Sequence, residues 1–325
     1  MTEAEARSAA PDPALVARFK AALDRLWPEG GKLGLAVSGG PDSMAMLLLA
    51  EAAIPGQFEA ATVDHSLRPE AADECALVAR VCAERGIPCE VLRVAVAAGN
   101  LQAEARKARY DALARWAQKR RLSALATAHH SDDQAETLLM RLNRGSGVSG
   151  LAGVRARGAL AGTAVRVVRP VLDFRRSQLA QCVSNAGIRA VKDPSNEDQR
   201  FDRARMRSAL AAADWLEPGA IAYSASHLAD ADEALDWAAE HEWNAAVTVS
   251  DYQWRYRPAA PRAVVLRVLE RIINASGRAP RGQDVARLLE RLENGQGGNV
   301  AGILATVRDG DWIFAPEPPR RDGQD

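Results

Sequence analysis

The segment that most constrains the fold is the hexapeptide SGGPDS at positions 38–43. It follows a short apolar run, LGLAV (33–37), and leads directly into a second one, MAMLLLA (44–50). A buried strand that turns through glycines into a helix aims backbone N–H groups and the positive end of the helix dipole at one point. The sequence therefore predicts a βα unit with a phosphate site at its turn.

The same alternation of strand and helix continues along the chain. We predict further strands at 58–63, 89–94, 123–128 and 164–168, and helices at 43–52, 71–85, 101–121 and 132–143. This spacing is typical of βαβ units. The expected fold class is therefore α/β, with a parallel, Rossmann-like sheet covered by helices on both faces.

Strand signals give way to helical patterns after Phe201, at 202–213, 222–246, 259–275 and 282–294. The chain closes with two apolar runs around RDGD (308–311), whose Asp-Gly pair predicts a hairpin. We therefore expect two domains, residues 1–217 and residues 218–325. The second is smaller and mainly helical and ends in the hairpin.

Charge is balanced overall but not locally. The chain has 42 basic and 42 acidic residues, so its net charge of +0 gives no sign of a polyanionic partner. The stretch 141–176, however, carries eight arginines and one acid, Asp173. Two interpretations stay open for these arginines and for the later Arg200, Arg203, Arg205 and Arg207. They are salt-bridge partners on solvated faces, or they contact the phosphates of an RNA.

Cysteine usage and hydropathy indicate an intracellular protein. Cys75, Cys82, Cys89 and Cys182 include no CxxC pair, and we predict reduced thiols in the core. No stretch approaches the roughly 20 apolar residues of a membrane span. The N-terminal MTEAEARSAAPDP carries acidic residues where a signal peptide carries basic ones. We therefore expect a cytoplasmic location and no membrane segment.

The glycine turn is not a Walker A loop, because no lysine follows the glycines. Asp42 stands there instead, and a carboxylate beside a phosphate site suits a Mg²⁺ ion between the two. The alternative is that Gly39 and Gly40 only make a tight turn while Asp42 and Ser43 cap the helix.

Several polar side chains follow the ends of predicted strands: Ser38, Asp64, His65, His129 and His130. Ligands of an open α/β sheet bind beyond the carboxyl ends of its strands. We therefore expect these side chains to lie in one cleft. The spacing in HHSDD (129–133) does not fit the HExxH pattern of a catalytic zinc.

The helix after the paired histidines carries a compact acid face. Asp133 and Glu136 are three residues apart and Asp132 and Glu136 are four apart, so these carboxylates share one side of the helix. Such a face suits an ammonium ligand or a second metal contact. The alternative is a solvated face that the helix dipole favours. Repulsion between unpaired carboxylates predicts a raised pKa for at least one of them in the empty site.

These motifs resemble those of known families. SGGxDS resembles the PP-loop of the N-type ATP pyrophosphatases, which split ATP into AMP and pyrophosphate while they adenylate a carbonyl oxygen. Five further segments, in this order, resemble the tRNA(Ile)-lysidine synthase family: VDHSLR (63–68), NLQAEARKARYDAL (100–113), ATAHHSDDQAETLLMRLNRGSG (126–147), RPVLDFRR (169–176) and DPSNEDQRFDRARMR (193–207).

The resemblance implies an ATP-dependent ligase that joins free L-lysine to C2 of the wobble cytidine in the CAU anticodon of tRNA(Ile), which changes the codon read from AUG to AUA. It implies ATP binding by Ser38, Gly39, Gly40, Pro41, Asp42 and Ser43, with Mg²⁺ at Asp42. It implies catalytic roles for Asp42, His129, His130, Asp133 and Glu136, and lysine binding by Asp132, Asp133 and Glu136. It implies tRNA contacts by Arg109, Arg144, Arg203, Arg205 and Arg207.

Two departures and two alternatives accompany the resemblance. Ala204 stands where the basic motif of the family has an asparagine, and NVAG (299–302) replaces its usual TLGG. A tRNA thiolase of the same class would need reactive or cluster-binding cysteines. A noncatalytic nucleotide sensor or RNA-binding adaptor would not need the acid face. A homodimer is compatible with the sequence. Five aromatic residues near the C-terminus are predicted to lie in the core, and stacking on nucleotides is the alternative: Trp237, Trp243, Tyr252, Trp254 and Tyr256.

Overall fold

The computed structural model describes residues 10–65, 70–97, 99, 101–191, 202–251, 253–275 and 282–317. Predictions for 66–68, 100, 193–201 and Tyr252 lie outside these ranges. The chain forms two compact units, Met1–Ala229 and Asp230–Asp325. Within the described ranges, no helix is long and apolar enough to cross a bilayer.

The first unit is built on a six-stranded sheet. Its strands are β1 (Leu33–Ala36), β2 (Phe58–Asp64), β3 (Cys89–Arg93), β4 (Ala124–Ala126), β5 (Arg157–Ala159) and β6 (Arg166–Val168), in the order β3-β2-β1-β4-β6-β5. All neighbouring pairs are parallel except β5 and β6, which are antiparallel. The predicted parallel sheet is confirmed. The edge strand β5 was not predicted, because its three exposed residues carry no apolar pattern.

Helices cover both faces of this sheet, as predicted. They are α1 (Pro13–Leu26), α2 (Pro41–Ala53), α3 (Glu70–Glu84), α4 (Leu101–Arg120), α5 (Ser131–Leu142), α6 (Val148–Leu151), α7 (Arg176–Asn185) and α8 (Asp202–Ala212). One core cluster joins α1, α2, α3 and α7 to β1, and a separate one joins α4 to β4 and β6 through Leu113, Trp116 and Leu125. Helices α2 and α4 therefore lie on opposite faces of the sheet.

The second unit is an antiparallel sheet with two helices against it. Helix α9 (Pro218–Ala246) begins in the first unit and ends in the second; then follow β7 (Val247–Ser250), β8 (Gln253–Tyr256), α10 (Arg262–Asn274), α11 (Gly282–Glu293), β9 (Gly298–Val300), β10 (Ile303–Arg308) and β11 (Asp311–Pro316). The strand order is β7-β8-β11-β10-β9. The closing hairpin is confirmed: Arg308 pairs with Asp311, and both Asp309 and Gly310 have positive φ, as a type I′ turn requires.

The hairpin of β7 and β8 corrects the prediction that strand signals are missing between Phe201 and the closing hairpin. Its strands have only four residues each and directly follow a 29-residue helix. The β-branched Val247, Thr248 and Val249 favour a strand, but so short a run is hidden when helical periodicity is read over long windows.

Most of the described C-terminal aromatics belong to the core of the second unit. Tyr256 is fully buried and donates its hydroxyl to Glu242 Oε1 at 3.0 Å. Trp243 and Trp254 pack partly buried against the same cluster. Trp237, in contrast, is 65% exposed. The core interpretation is therefore confirmed for three of these residues and wrong for Trp237.

The cysteines are free thiols, as predicted. Cys75, Cys82 and Cys182 are buried and Cys89 is half-buried. The Cys82 thiol is hydrogen-bonded to the Cys89 sulfur, and this bond together with burial raises the pKa of Cys82. The described cysteines therefore have the environment of packing residues.

Candidate active site

A cavity of about 470 Å³ opens at the carboxyl ends of β1, β2 and β4. Its lining includes most of the strand-end residues singled out from the sequence: Ser38, Gly40, Pro41, Asp42, Ser43, His65, His129, His130 and Asp133. The prediction that strand-end side chains meet in one cleft is thus confirmed for these residues. Asp64 is buried and does not line the cavity.

The turn after β1 is shaped by its glycines and two serines. Gly39 has φ +83°, which favours glycine, and a Cβ atom there would lie 3.3 Å from the Glu74 carbonyl oxygen. The Ser38 backbone N–H donates to Ser43 Oγ at 3.0 Å, and Ser43 Oγ donates to the Gly40 carbonyl at 3.0 Å. These bonds fix the loop around the first turn of α2.

The N-terminus of α2 faces the cavity without a side-chain cap. Gly40 is the N-cap and Pro41 the first helical residue, while Asp42 and Ser43 already lie inside the helix. The alternative in which Asp42 and Ser43 cap the helix is therefore wrong. The first backbone N–H groups and the helix dipole remain directed at the cavity, as in a phosphate site.

Asp42 has one engaged and one free carboxylate oxygen. Its Oδ2 lies 3.4 Å from His130 Nε2, whereas its Oδ1 is buried and has no hydrogen-bond partner among the described residues. Mg²⁺ prefers carboxylate oxygen and takes one or two such ligands together with substrate phosphates. No group of three or more His, Cys, Asp or Glu residues within the described ranges could hold a metal by itself. The donor set thus fits a Mg²⁺ ion shared between Asp42 and a phosphate.

His130 is a buried cation at the centre of three carboxylates. It is 3% exposed, and its ring nitrogens lie 3.4 Å from Asp42, 3.6 Å from Asp132 and 3.6 Å from Asp133. Burial alone would lower the pKa of His130, but hydrogen bonds with Asp132 and Asp42 raise it to about 10. The imidazolium therefore connects the α2 N-terminus to the start of α5.

His129, in contrast to His130, is neutral at neutral pH. Desolvation lowers the pKa of His129 to about 4; Asp133 opposes this shift, while the charges of Arg169, Arg203 and Arg106 add to it. Its Nδ1 atom lies 3.2 Å from Thr127 Oγ1. At neutral pH the cavity thus holds one neutral and one charged histidine side by side.

The acid face of α5 is not solvated, because arginines of α8 cover it. Glu136 is 2% exposed and accepts from Arg203 Nε at 2.8 Å and from Arg207 Nε at 2.7 Å. Arg203 also donates to Asp133 Oδ1 at 2.9 Å. The solvated alternative is wrong, and charge-assisted bonds hold the two helices together.

The cations around Asp133 prevent the rise in its pKa that repulsion between carboxylates was expected to cause. Burial would raise the pKa of Asp133, but the charges of His130 and Arg203 outweigh it, so that the pKa of Asp133 is lowered. The prediction of a raised pKa failed for this residue because it assumed unpaired carboxylates. The cations that pair with them come from a helix 70 residues further along the chain.

Asp132 is bonded to the start of α7. Its Oδ2 accepts from the Arg176 backbone N–H at 2.9 Å and from Ser131 Oγ at 3.2 Å. Arg175 Nε lies 3.7 Å from the same oxygen. Asp132 thus joins the N-termini of α5 and α7, and neither it nor Glu136 lines the cavity.

The described arginines of the first unit include two groups, one bonded to the protein itself and one lining the cavity. Several members bind the protein itself: Arg141 donates to the Gly150 carbonyl, Arg144 pairs with Asp202 at 2.7 Å, Arg166 with Glu29 at 2.7 Å, and Arg175 with Glu217. Arg205 also pairs with Asp202. The arginines that line the cavity are Arg106, Arg109, Arg176, Arg203 and Arg207.

Three residues line the cavity that were not predicted from the sequence to do so: Arg106, Tyr110 and Arg176. The signal for the first two was their spacing on α4, where residues 106, 109, 110 and 113 share one face and all line the cavity. Arg176 is the first residue of α7, and its position at the cavity could not be predicted because α7 itself was not predicted. Ala204, at the position of the usual asparagine, is buried on α8.

Comparison with known proteins agrees with this site. A family model described as a PP-loop domain matches residues 11–213. The chain is 47% identical over 308 residues to a tRNA(Ile)-lysidine synthase of Novosphingobium aromaticivorans and covers 94% of both chains. It is 40% identical over 304 residues to a protein of the same name from Zymomonas mobilis, covering 90% of this chain and 91% of that one.

Among solved structures, the chain is similar to a U34-tRNA thiolase from Methanococcus maripaludis. The TM-score is 0.54 at 18% identity, with 66% of this chain and 78% of that chain covered. At this identity the likeness concerns the fold alone.

Proposed function

The chain belongs to the tRNA(Ile)-lysidine synthase family of PP-loop proteins, and we propose that it ligates free L-lysine to C2 of the wobble cytidine in the CAU anticodon of tRNA(Ile). Members of this family are ATP-dependent ligases, and the observation that carries the proposal is the meeting of two segments in one cavity. The open N-terminus of α2 lies beside the His130 and Asp133 segment, with Asp42 and His130 3.4 Å apart.

ATP binds with its pyrophosphate portion on the loop of Ser38, Gly39, Gly40, Pro41, Asp42 and Ser43. The C2 carbonyl oxygen of the cytidine attacks the α-phosphate, and pyrophosphate leaves. Adenylation turns an unreactive oxygen into a leaving group. The lysine amine then attacks C2 and displaces AMP. The His130 imidazolium adds a fixed positive charge next to the loop, where negative charge accumulates.

Mg²⁺ fits this loop through Asp42. The buried, unpartnered Oδ1 atom supports a metal contact, and an ion held there would neutralise charge on the phosphates. Asp42 itself is kept in place by His130, which occupies its other oxygen. His130 thus orients the carboxylate.

For the lysine ammonium, the contacts favour Asp133 over Asp132. Asp133 lines the cavity, whereas Asp132 is bonded to the start of α7. Glu136 accepts hydrogen bonds from Arg203 and Arg207. It therefore contributes to the site either by fixing these two arginines or by binding the lysine ammonium in place of one of them. The pKa of His130 is raised to about 10, so its imidazolium cannot accept the amine proton at neutral pH. Neutral His129 and the carboxylate of Asp133 are the candidates for the base.

For tRNA, we propose contacts through Arg109, Arg203 and Arg207 at the cavity and through Arg144 and Arg205 on the exposed α5–α8 edge. We assign catalysis to residues 1–217 and tRNA binding to residues 218–325, which begin with α9. We also expect a cytoplasmic enzyme, and sedimentation would decide between a monomer and a homodimer.

The test is pyrophosphate release under multiple turnover, with tRNA and lysine each omitted in turn. A lysidine synthase requires both. Turnover with tRNA and a sulfur donor but without lysine would support a thiolase, and ATP binding without any turnover would support a nucleotide sensor.

A further inference from the structure

One wall of the cavity carries two guanidinium groups beside an aromatic ring. Arg106 Cζ lies 4.9 Å and Arg109 Cζ 5.8 Å from the centre of the Tyr110 ring, and all three residues line the cavity. Arg169 does not line the cavity, and its Nη1 donates to the Arg155 carbonyl at 2.6 Å. We call Arg106, Arg109 and Tyr110 the basic wall.

Among the described residues, no carboxylate forms an ion pair with Arg106 or Arg109. Both side chains are exposed at the cavity, three residues apart on α4. Like charges held side by side repel one another unless an anion joins them. The arrangement thus indicates a place for an oxyanion.

This place is distinct from the ATP phosphate site. The basic wall stands on α4, which packs on one face of the sheet, and the glycine loop leads into α2 on the other face. Both reach the same cavity, because Arg106, Arg109 and Tyr110 line it together with Ser38 and Asp42. An anion at the basic wall would therefore lie across the cavity from the pyrophosphate.

We propose that the basic wall binds a phosphodiester group next to the wobble nucleotide; this rests on the proposed function. Chemistry on C2 requires the base to leave its stack and enter the cavity, and the flanking phosphates must follow it to the cavity mouth. Guanidinium groups match phosphate oxygens through paired N–H donors. Arg106 thereby joins Arg109 in one subsite, with the Tyr110 ring beside both guanidinium groups.

The carboxylate of free lysine is the other oxyanion in the reaction. The RNA strand matches the basic wall better, because it carries a charge at every nucleotide and so serves both guanidinium groups at once. Arg106 is also exposed on α4, where a strand can pass.

The experiment compares Arg106→Ala with Arg115→Ala, a matched control on α4 whose exposed arginine does not line the cavity. The probes are an anticodon stem-loop RNA and two versions in which a methylphosphonate replaces the phosphate on the 5′ or the 3′ side of the wobble cytidine. Dissociation constants are measured at fixed salt without lysine. Melting temperatures and ATP affinities of both variants confirm that the fold is retained.

We expect wild type and Arg115→Ala to bind one of the two methylphosphonate RNAs about 10- to 100-fold more weakly than the unmodified RNA. This factor corresponds to the free energy of one charge-assisted hydrogen bond. Arg106→Ala should bind the unmodified RNA more weakly and lose most of this discrimination. Equal discrimination in Arg106→Ala and wild type would overturn the proposal. So would unchanged RNA affinity together with a raised lysine requirement, which would assign the basic wall to the lysine carboxylate.

A failure of the phosphodiester subsite can be distinguished from a failure of the proposed function. A wild-type protein that never incorporates lysine into tRNA contradicts the proposed function. Wild-type incorporation together with indifference of Arg106→Ala to the methylphosphonates contradicts the phosphodiester subsite alone.

Discussion

His130 Nε2 lies 3.4 Å from Asp42 Oδ2, so the segment after β4 contacts the loop after β1 through a buried ion pair. The contact occupies one oxygen of Asp42 and leaves the other buried and without a partner among the described residues. It places a carboxylate that can bind a metal directly beside His130, in the first turn of α2.

Asp42→Asn should abolish ATP cleavage and leave the fold intact. The amide keeps the shape but removes the negative oxygen that would hold Mg²⁺, and a metal contribution of several kcal/mol corresponds to a rate loss of more than about 100-fold. The measurement is pyrophosphate release, with circular dichroism as a check on folding. Asp73→Asn, at an exposed carboxylate of α3, is the control. Near-normal turnover in Asp42→Asn would remove the assignment of the loop.

Glu136→Gln should raise the lysine requirement more than the ATP requirement. The change removes one charge from the face shared by Asp133, Arg203 and Arg207. A charge-assisted hydrogen bond is worth roughly 1.5 to 3 kcal/mol, or about ten- to hundredfold in concentration. Lysidine formation is measured against lysine and against ATP, with exposed Glu84→Gln as the control. A shift in ATP dependence alone would assign Glu136 to the nucleotide.

Replacing all four cysteines by serine or alanine should leave the chemistry intact. Three are buried and one is half-buried, so the expected loss is in packing, about 1 to 3 kcal/mol per buried site. Urea denaturation measures the stability and pyrophosphate release the activity. A folded variant without activity would revive the thiolase alternative.

Affinity for tRNA should fall steeply with salt. Each phosphate contact releases counterions, which gives a log–log slope of about 0.9 per contact on duplex and about 0.7 on single strands. Arg106, Arg109 and Arg176 line the cavity, and their guanidinium groups form no ion pair with a carboxylate among the described residues. Binding measured between low and moderate salt gives the slope, and a flat response would exclude phosphate contacts as the main source of affinity.

The neutral state of His129 predicts a dependence of stability on pH. Its pKa is lowered from 6.5 to about 4 in the folded protein, so the unfolded chain takes up the proton first as the pH falls. Stability should therefore be lost between about pH 6.5 and pH 4, by at most about 3 kcal/mol from this group. Urea unfolding of wild type and His129→Asn over this range measures the difference. Parallel curves would contradict the assigned charge state.

The sheet and the cavity were predictable because their signals are local. Apolar runs with glycine turns identify β1, β2 and β4, and the carboxyl ends of parallel strands meet by geometry. The coverage of Glu136 by Arg203 and Arg207 was not predictable, because a contact across 67 and 71 residues leaves no spacing signal in the sequence. The basic wall was only partly predicted, because the family resemblance pointed to Arg109 but not to Arg106 on the same face of α4.

The most direct test of the central claim is the incorporation of labelled lysine into tRNA(Ile) transcripts with purified protein and Mg·ATP. One transcript carries the CAU anticodon, and its match carries uridine at the wobble position. We expect about one lysine per CAU transcript, none in the uridine transcript, and loss of incorporation in Asp42→Asn. Consumption of ATP with the CAU transcript and lysine but without any lysine in the RNA would contradict it.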